Sequence, residues 1–286
     1  MQSRRETGKE VAGGGVRYEV RAREALREVL LRRRGVVECI SVCVVLAVWE
    51  AVADFVVAEP FKLPSPSSVL LAFYEISDTL PEDILVSFMH FGIGICMGAA
   101  VGITIGAIMG WFRVAERSTD PIIEVTRAIP PLAWIPFAIA WLGCTHQAAG
   151  FIVFIGAVFP VLLNTYAGFR SVDRIYIDAA RVLGCKTNAS LIKSVAIPYS
   201  LPFIATGIRV GMGVGWMCVV AAEMLGASNS GLGFKLWFYY GLHMMDRVVA
   251  YMLVIGLLAM LLDHIFRCVV DARLLRWRKG LSAMEA

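Results

Sequence analysis

Long apolar runs alternate with short polar stretches along most of the chain. About 20 apolar residues are needed to cross a bilayer, and six segments qualify as candidate crossings: 36–58, 84–110, 121–143, 147–167, 201–226 and 248–270. The third is the least apolar, because Glu124, Arg127 and the prolines at 130, 131 and 136 fall inside it. Segment 227–247 is apolar only in patches and reads as a re-entrant or surface helix. The pattern predicts an all-α polytopic membrane protein with about six transmembrane helices. It divides the chain into a tail (1–35), a first span with its loop (36–83), a core (84–272) and a second tail (273–286).

One polar interruption, 168–202, has helical texture of its own. Ser171 or Asp173 can cap a helix in which Ile175, Ala179 and Val182 recur at helical spacing, and Gly184 supplies the stop. Asn188 can cap a second helix carrying Leu191, Ile192 and Val195, with Pro198 as its end. Pieces of about ten residues are too short to be stable alone in water. Their apolar faces need a surface, and lipid headgroups or a partner protein would both provide one.

Within the spans, small and breaking residues are regularly placed. Gly94, Gly98, Gly102, Gly106 and Gly110 recur every fourth residue, as do Gly207, Gly211 and Gly215. Such ridges let helices approach closely where lipid removes the hydrophobic drive. Packing within one subunit and a seam between two are both compatible with them. Pro130, Pro131 and Pro136 remove three backbone donors from the third segment and predict a kinked or broken helix. A broken helix in a membrane belongs where it faces protein or a water-filled cavity, which makes these prolines pathway candidates. Arg209 and Glu223 are charges inside the fifth span, about 21 Å apart along one straight helix. They cannot pair with each other, so each needs another partner. Ser228 and Asn229 follow as a small polar cluster with the look of a gate or contact surface.

Composition agrees with this reading. Hydrophobic residues make up 58% of the chain and charged ones 17%, with a mean hydropathy of +0.69, which excludes a soluble domain. The net charge of +4 reports topology rather than nucleic-acid binding. Of the 27 Lys and Arg residues, 22 fall in the first tail, 111–120, 168–200 and 267–279, whereas only Lys62, Lys235 and Arg247 fall in the opposite loops. The asymmetry predicts that both termini and the 168–200 loop are cytoplasmic. The first tail is predicted to be helical over 18–34; the apolar stretch after it is too long for a signal peptide. Loop 59–83 holds five acidic residues and a Pro-rich connector, and belongs outside. Seven scattered cysteines and four separated histidines form no CxxC or HExxH pattern, so no metal site is expected.

Motifs narrow the function further. Asp178-Ala179-Ala180, Gly184 and Val195-Ala196-Ile197-Pro198 resemble the signature of permease subunits of ABC importers. That pattern is Glu-Ala-Ala, three residues, Gly, nine residues, then Ile-x-Leu-Pro. Here Asp replaces Glu, and ten residues rather than nine follow Gly184. The stretch 207–234, GIRVGMGVGWMCVVAAEMLGASNSGLGF, looks like the branch importing nitrate, sulfonates and taurine, and the resemblance extends from about 62 to 279. It implies a type I-like permease fold working as a homodimer on a small anionic solute. Two copies of an ATPase subunit would dock at the loop carrying Asp178, Ala179, Ala180, Gly184, Val195, Ile197 and Pro198. An extracytoplasmic binding protein would deliver the solute.

Three function classes can then be weighed. The chain has no GxxxxGK[ST]; Gly184-Cys185-Lys186-Thr187 lacks the spacing. ATP and Mg²⁺ are therefore expected in the partner ATPase, with no cofactor bound by this chain. An ion-gradient-driven secondary transporter is the alternative, but paired broken helices and several mid-membrane acids, its usual marks, are missing from the sequence. An intramembrane enzyme would need a nucleophile with its base, a HExxH or a carboxylate pair, and the spans carry none.

Overall fold

The structure, a computed structural model, describes Val37 and residues 40–270. The two predicted tails, with their basic residues, lie outside the described residues. The chain divides into two compact units, Met1–Ser68 and Val69–Ala286.

The first unit is built on α1 (Ile40–Val57), apolar enough to cross a membrane and only 6% buried over its most apolar window. Val42, Val45 and Phe55 stand exposed on it. A helix apolar on all sides, as this one is before Glu50, suits lipid rather than water. Its last turn, Val52–Val57, widens to π geometry and closes on Ala58 at φ 50. The connector that follows is tied back to α1. Trp49 Nε1 donates to the Pro64 carbonyl at 3.1 Å, and Ser67 donates to Glu50 through its backbone N–H (3.1 Å) and its hydroxyl (2.6 Å).

The second unit is organised around one helix. After α2 (Pro66–Ile76) come α3 (Leu80–Trp111), α4 (Arg113–Ala128), α5 (Ile135–Leu142) and α6 (His146–Arg170). Then follow α7 (Arg174–Val182), α8 (Asn188–Leu191), α9 (Ile197–Met224), α10 (Leu232–Gly241) and α11 (Met245–Val269). The apolar window of α6 is 61% buried, against 28% for α3 and 22% for α11, so α6 is the axis on which α3 and α9 pack.

The glycine ridges are what bring those helices so close. A Cβ on Gly98 would stand 2.9 Å from the Cβ of Ala157, one on Gly102 2.8 Å from the Val158 carbonyl, and one on Gly106 2.9 Å from the Cβ of Thr165. Gly94 faces Val153 and Gly110 faces Phe169 in the same way. From the other side, Gly207, Gly211 and Gly215 face Asn164, Ala157 and Val153. Both ridges therefore lie inside one subunit, with α6 between them. Nothing but hydrogen fits at such distances, and the attraction gained is dispersion between backbones in near contact.

Segment 121–143 is broken, as its prolines predict: α4 and the Pro131–Leu142 piece meet at 87°. Ile129 is extended (φ −78, ψ 118), as a residue before proline must be, and a 3₁₀ turn over Pro131–Trp134 leads into α5. Among the described residues five helices are long and apolar enough to span, six if the bent pair counts as one. The departure from expectation lies at Pro198. It does not halt a helix; α8 runs through a π turn, Ile192–Ala196, into α9. Ile197 N–H bonds back to the Ile192 carbonyl, five residues away, and Pro198, which offers no N–H, follows in the first turn of α9. Segment 227–247 contains the short α10 between two tight turns.

Candidate functional site

Local sequence builds the α7–α8 hairpin. Of the two predicted caps, Asp173 serves, its carboxylate accepting from Ile175 N–H at 3.1 Å. At the other end the Gly184 N–H bonds to the Arg181 carbonyl (3.1 Å) and the Cys185 N–H to the Ala180 carbonyl (2.9 Å). Those two bonds define a Schellman stop, which needs a residue with positive φ; Gly184 stands at φ +101. The second piece is capped by Thr187, one residue before the predicted Asn188. Thr187 and Ser190 form a reciprocal capping box.

The hairpin leaves much apolar surface uncovered. Val182 is 88% exposed, Leu183 87% and Ile175 71%. A groove of about 480 Å³ runs between α7 and the start of α9, with Tyr176, Ala179, Leu183, Val195, Pro198 and Tyr199 on its walls. Ala180 also reaches it. Residues from both halves of the sequence motif thus meet there. Asp178 points elsewhere, in an exposed pair with Arg181 at 3.4 Å. Gly184 is at the turn, with open space where a Cβ would be, and Ile197 is 40% exposed beside the groove.

A second cavity, of about 630 Å³, opens along α6 and α9 at the bend after α4. Glu124, Arg127 and Asn164 supply its polar groups, and Pro131, Phe159 and Val214 are among its walls. Of the three candidate prolines only Pro131 lines it; Pro130 and Pro136 are exposed outside it. Arg209 faces the other way, toward α11. Its Nε and Nη2 reach Asp263 at 2.7 and 3.2 Å, and Asp263 also takes Arg267 at 2.7 Å. The cation at 209 is thereby offset by an acid one helix away.

Glu223 is fully buried at the opposite end of α9 from the hairpin. Its carboxylate accepts from Ser87 Oγ (2.9 Å), from the Gly233 N–H (2.8 Å) and meets His90 Nδ1 (2.8 Å). Ser87 Oγ in turn accepts from the Leu232 N–H at 2.9 Å. His90, also fully buried, presents Nε2 to Nδ1 of the exposed His146 at 2.7 Å. A buried carboxylate is tolerable only with such donors around it. Ser228 is buried nearby in sequence, its hydroxyl on the Ser230 carbonyl, while Asn229 is exposed.

The histidines looked isolated because 56 residues separate His90 from His146. The signal available was indirect: Ser87 and His90 lie one turn apart on α3, and Glu223 was an intramembrane acid still lacking a partner. Among the described residues no cluster of three or more His, Cys, Asp or Glu could hold a metal ion.

Known proteins share this architecture. Residues 102–279 match the family described as binding-protein-dependent transport system inner membrane component. A putative ABC transporter permease protein of Methanocaldococcus jannaschii is 41% identical over 83% of this chain and 90% of its own length. The nitrate import permease protein NrtB of Synechocystis sp. is 32% identical over 79% of this chain and 84% of its own. The putative aliphatic sulfonates transport permease protein SsuC of Bacillus subtilis is 32% identical over 83% and 86%. In fold, the chain is similar to a subunit of the methionine ABC transporter MetNI in an inward-facing conformation. The TM-score is 0.54 at 20% identity, covering 66% of this chain and 95% of that one.

Proposed function

The chain belongs to the binding-protein-dependent transport system inner membrane component family and is a multi-pass permease subunit of an ABC importer; on that premise we propose how it is energised and loaded. It works as a homodimer on a small anionic solute of the nitrate or sulfonate kind. Two ATPase subunits dock on the α7–α8 hairpins, carry ATP and Mg²⁺ and do the hydrolysis. A binding protein delivers solute at the Glu223 end. Both termini and the hairpin are cytoplasmic; the Glu223 end is extracytoplasmic.

The observation that carries this reading is the hairpin itself. Val182, Leu183 and Ile175 are held out by two well-capped short helices, a rigid apolar knob at the end of the bundle away from Glu223. Leaving such residues in water is unfavourable by roughly 1.5–3 kcal/mol each, which a docked partner would recover. Relatives named for nitrate and sulfonate import support an anion. So does Arg127, which has no ion-pair partner among the described residues and lines the α6–α9 cavity. Arg209 contributes less, since Asp263 already offsets it.

A substitution in the groove tests the docking. Ala179→Asp places an unpaired carboxylate on a surface meant to be desolvated, at a cost of several kcal/mol. The variant should insert normally, lose the co-purifying ATPase in detergent and lose solute-stimulated hydrolysis. Stable variant protein that keeps both would overturn the proposal. For orientation, an impermeant thiol reagent applied to intact cells should label a single cysteine at Ser67 and not one at Lys186. A gradient-driven carrier would instead lose transport when the proton gradient collapses and would need no ATPase.

A further inference from the structure

The Glu223 cluster does more than satisfy a buried charge. We propose that Glu223, with Ser87 and His90, positions the loop that follows α9, and that a single proton taken up at His146 sets how firmly it is held. The proposal rests on the orientation given above, which makes this end extracytoplasmic.

The geometry of attachment comes first. Gly226 closes α9 with a Schellman turn at φ +85, and the chain then reverses to start α10 at Leu232. The first two N–H groups of α10 are not left to water. Gly233 donates to Glu223 directly, and Leu232 donates to Ser87, which donates to Glu223. Gly231, at φ +115 and ψ 173, lies against the same carboxylate so closely that a Cβ there would collide with it. The loop is thus fastened to α9 and α3 through one side chain.

Proton counting gives the second half. A carboxylate only accepts, so with Glu223 ionised His90 Nδ1 carries a hydrogen and donates to it. The 2.7 Å gap between His90 Nε2 and His146 Nδ1 holds one hydrogen and excludes a second. In the uncharged histidine state His146 Nδ1–H donates to His90 Nε2, and the cluster has a net charge of one negative. His146 is exposed, and its free Nε2 can take a proton from solvent. That proton neutralises the cluster while breaking none of its hydrogen bonds. In this arrangement the chain from solvent to Glu223 accommodates one extra proton and no more.

The surroundings amplify the effect of that proton. Asp83 of α3, buried one turn before Ser87, bonds to the Tyr251 hydroxyl of α11 at 2.7 Å. Without a proton at His146, the Glu223 charge is uncompensated and a second buried acid, Asp83, stands one turn from its partner Ser87 on α3. With it, the Glu223 side is neutral overall. Acidity on this side therefore tightens the hold on the loop, and its removal loosens it.

Proteoliposomes holding the assembled importer allow the pH on each side to be set separately. Solute-stimulated ATP hydrolysis should fall in one step as the outer pH is lowered. His146→Gln, which can still hydrogen-bond to His90 but cannot take up a proton, should flatten that step, and so should Glu223→Gln. Should Glu223→Gln fail to assemble, the wild-type complex supplies a second readout. Amides of 226–233 should exchange more slowly on the acid side once intrinsic rates are corrected. A His146→Gln protein that retains the wild-type step, or an active wild type with no step at all, would overturn the proposal. A step that follows the inner pH and vanishes in His146→Gln would uphold the relay and refute only the orientation.

Discussion

The segments on either side of α9 are built from similar parts and differ in almost every physical respect. Before it, Gly184 turns the α7–α8 hairpin at φ +101 with nothing within 4 Å of a would-be Cβ. After it, Gly231 turns the chain into α10 at φ +115, pressed against the Glu223 carboxylate. Both turns need glycine, for different reasons. At Gly184 the backbone angle alone demands it; at Gly231 the angle and the neighbour both do. The hairpin shows apolar side chains to its surroundings and satisfies its polar groups locally, through caps a few residues away. The loop covers a charge on α9, which is satisfied by groups from α3 and α10. The hairpin is thus held by short-range bonds and the loop after α9 by a few long-range ones.

That contrast can be broken in order of expected size. Glu223→Leu should be the most damaging single change. It strands His90 Nδ1, Ser87 Oγ and the Gly233 N–H, and losing one partner of a buried polar set costs about 3–5 kcal/mol. The check is the thermal midpoint of monodispersity in detergent. Gly102→Leu, on the seam with α6, forces a side chain into the Val158 carbonyl 2.8 Å away. Overpacking of this kind costs about 1–3 kcal/mol and should lower membrane abundance, whereas Ile103→Leu should be tolerated.

The paired turns sharpen the contrast. Gly184→Val should cost on the order of 1–2 kcal/mol, from the backbone alone, with all spans inserted and only ATPase retention reduced. Gly231→Val should cost more than that in the same stability assay, because the side chain also displaces Glu223. Equal losses would mean the carboxylate yields freely. The smallest effect belongs to Asp178→Asn. Its pair with Arg181 is exposed on both sides, and such pairs contribute about 0.5 kcal/mol or less. Stability should be unchanged, and any loss of ATPase retention would then report on docking directly.

Much of the architecture was legible because it depends on short-range periodicity. Glycines at every fourth residue mark one face of a helix whatever it packs against, and Asp173 and Gly184 announce a helix between them. The reading of Pro198 as a stop erred because proline forbids one hydrogen bond, not a helix; a π turn before it moved the bond. The break in the third span, by contrast, was legible in its prolines. Residues 121–143 have the length of a crossing, but Ile129 before Pro130 had to leave the helical region, and hydropathy averages over such a break.

By itself, the sequence determined the membrane class, the plan of five or six crossings, the hairpin with its first cap and glycine stop, and the motif that marks an importer subunit. Each follows from the transfer of apolar side chains, from the pitch of the helix or from bonds between residues a few positions apart. Only the tertiary structure decided which helices the ridges join, where Arg209 and Glu223 find their partners, and that His90 and His146 touch. Those partners lie 54 residues away for Arg209 and 133 and 136 for Glu223. No local rule selects one distant side chain over another. In a bilayer, where every unmatched polar group is expensive, the choice falls to whichever packing of the helices satisfies them together.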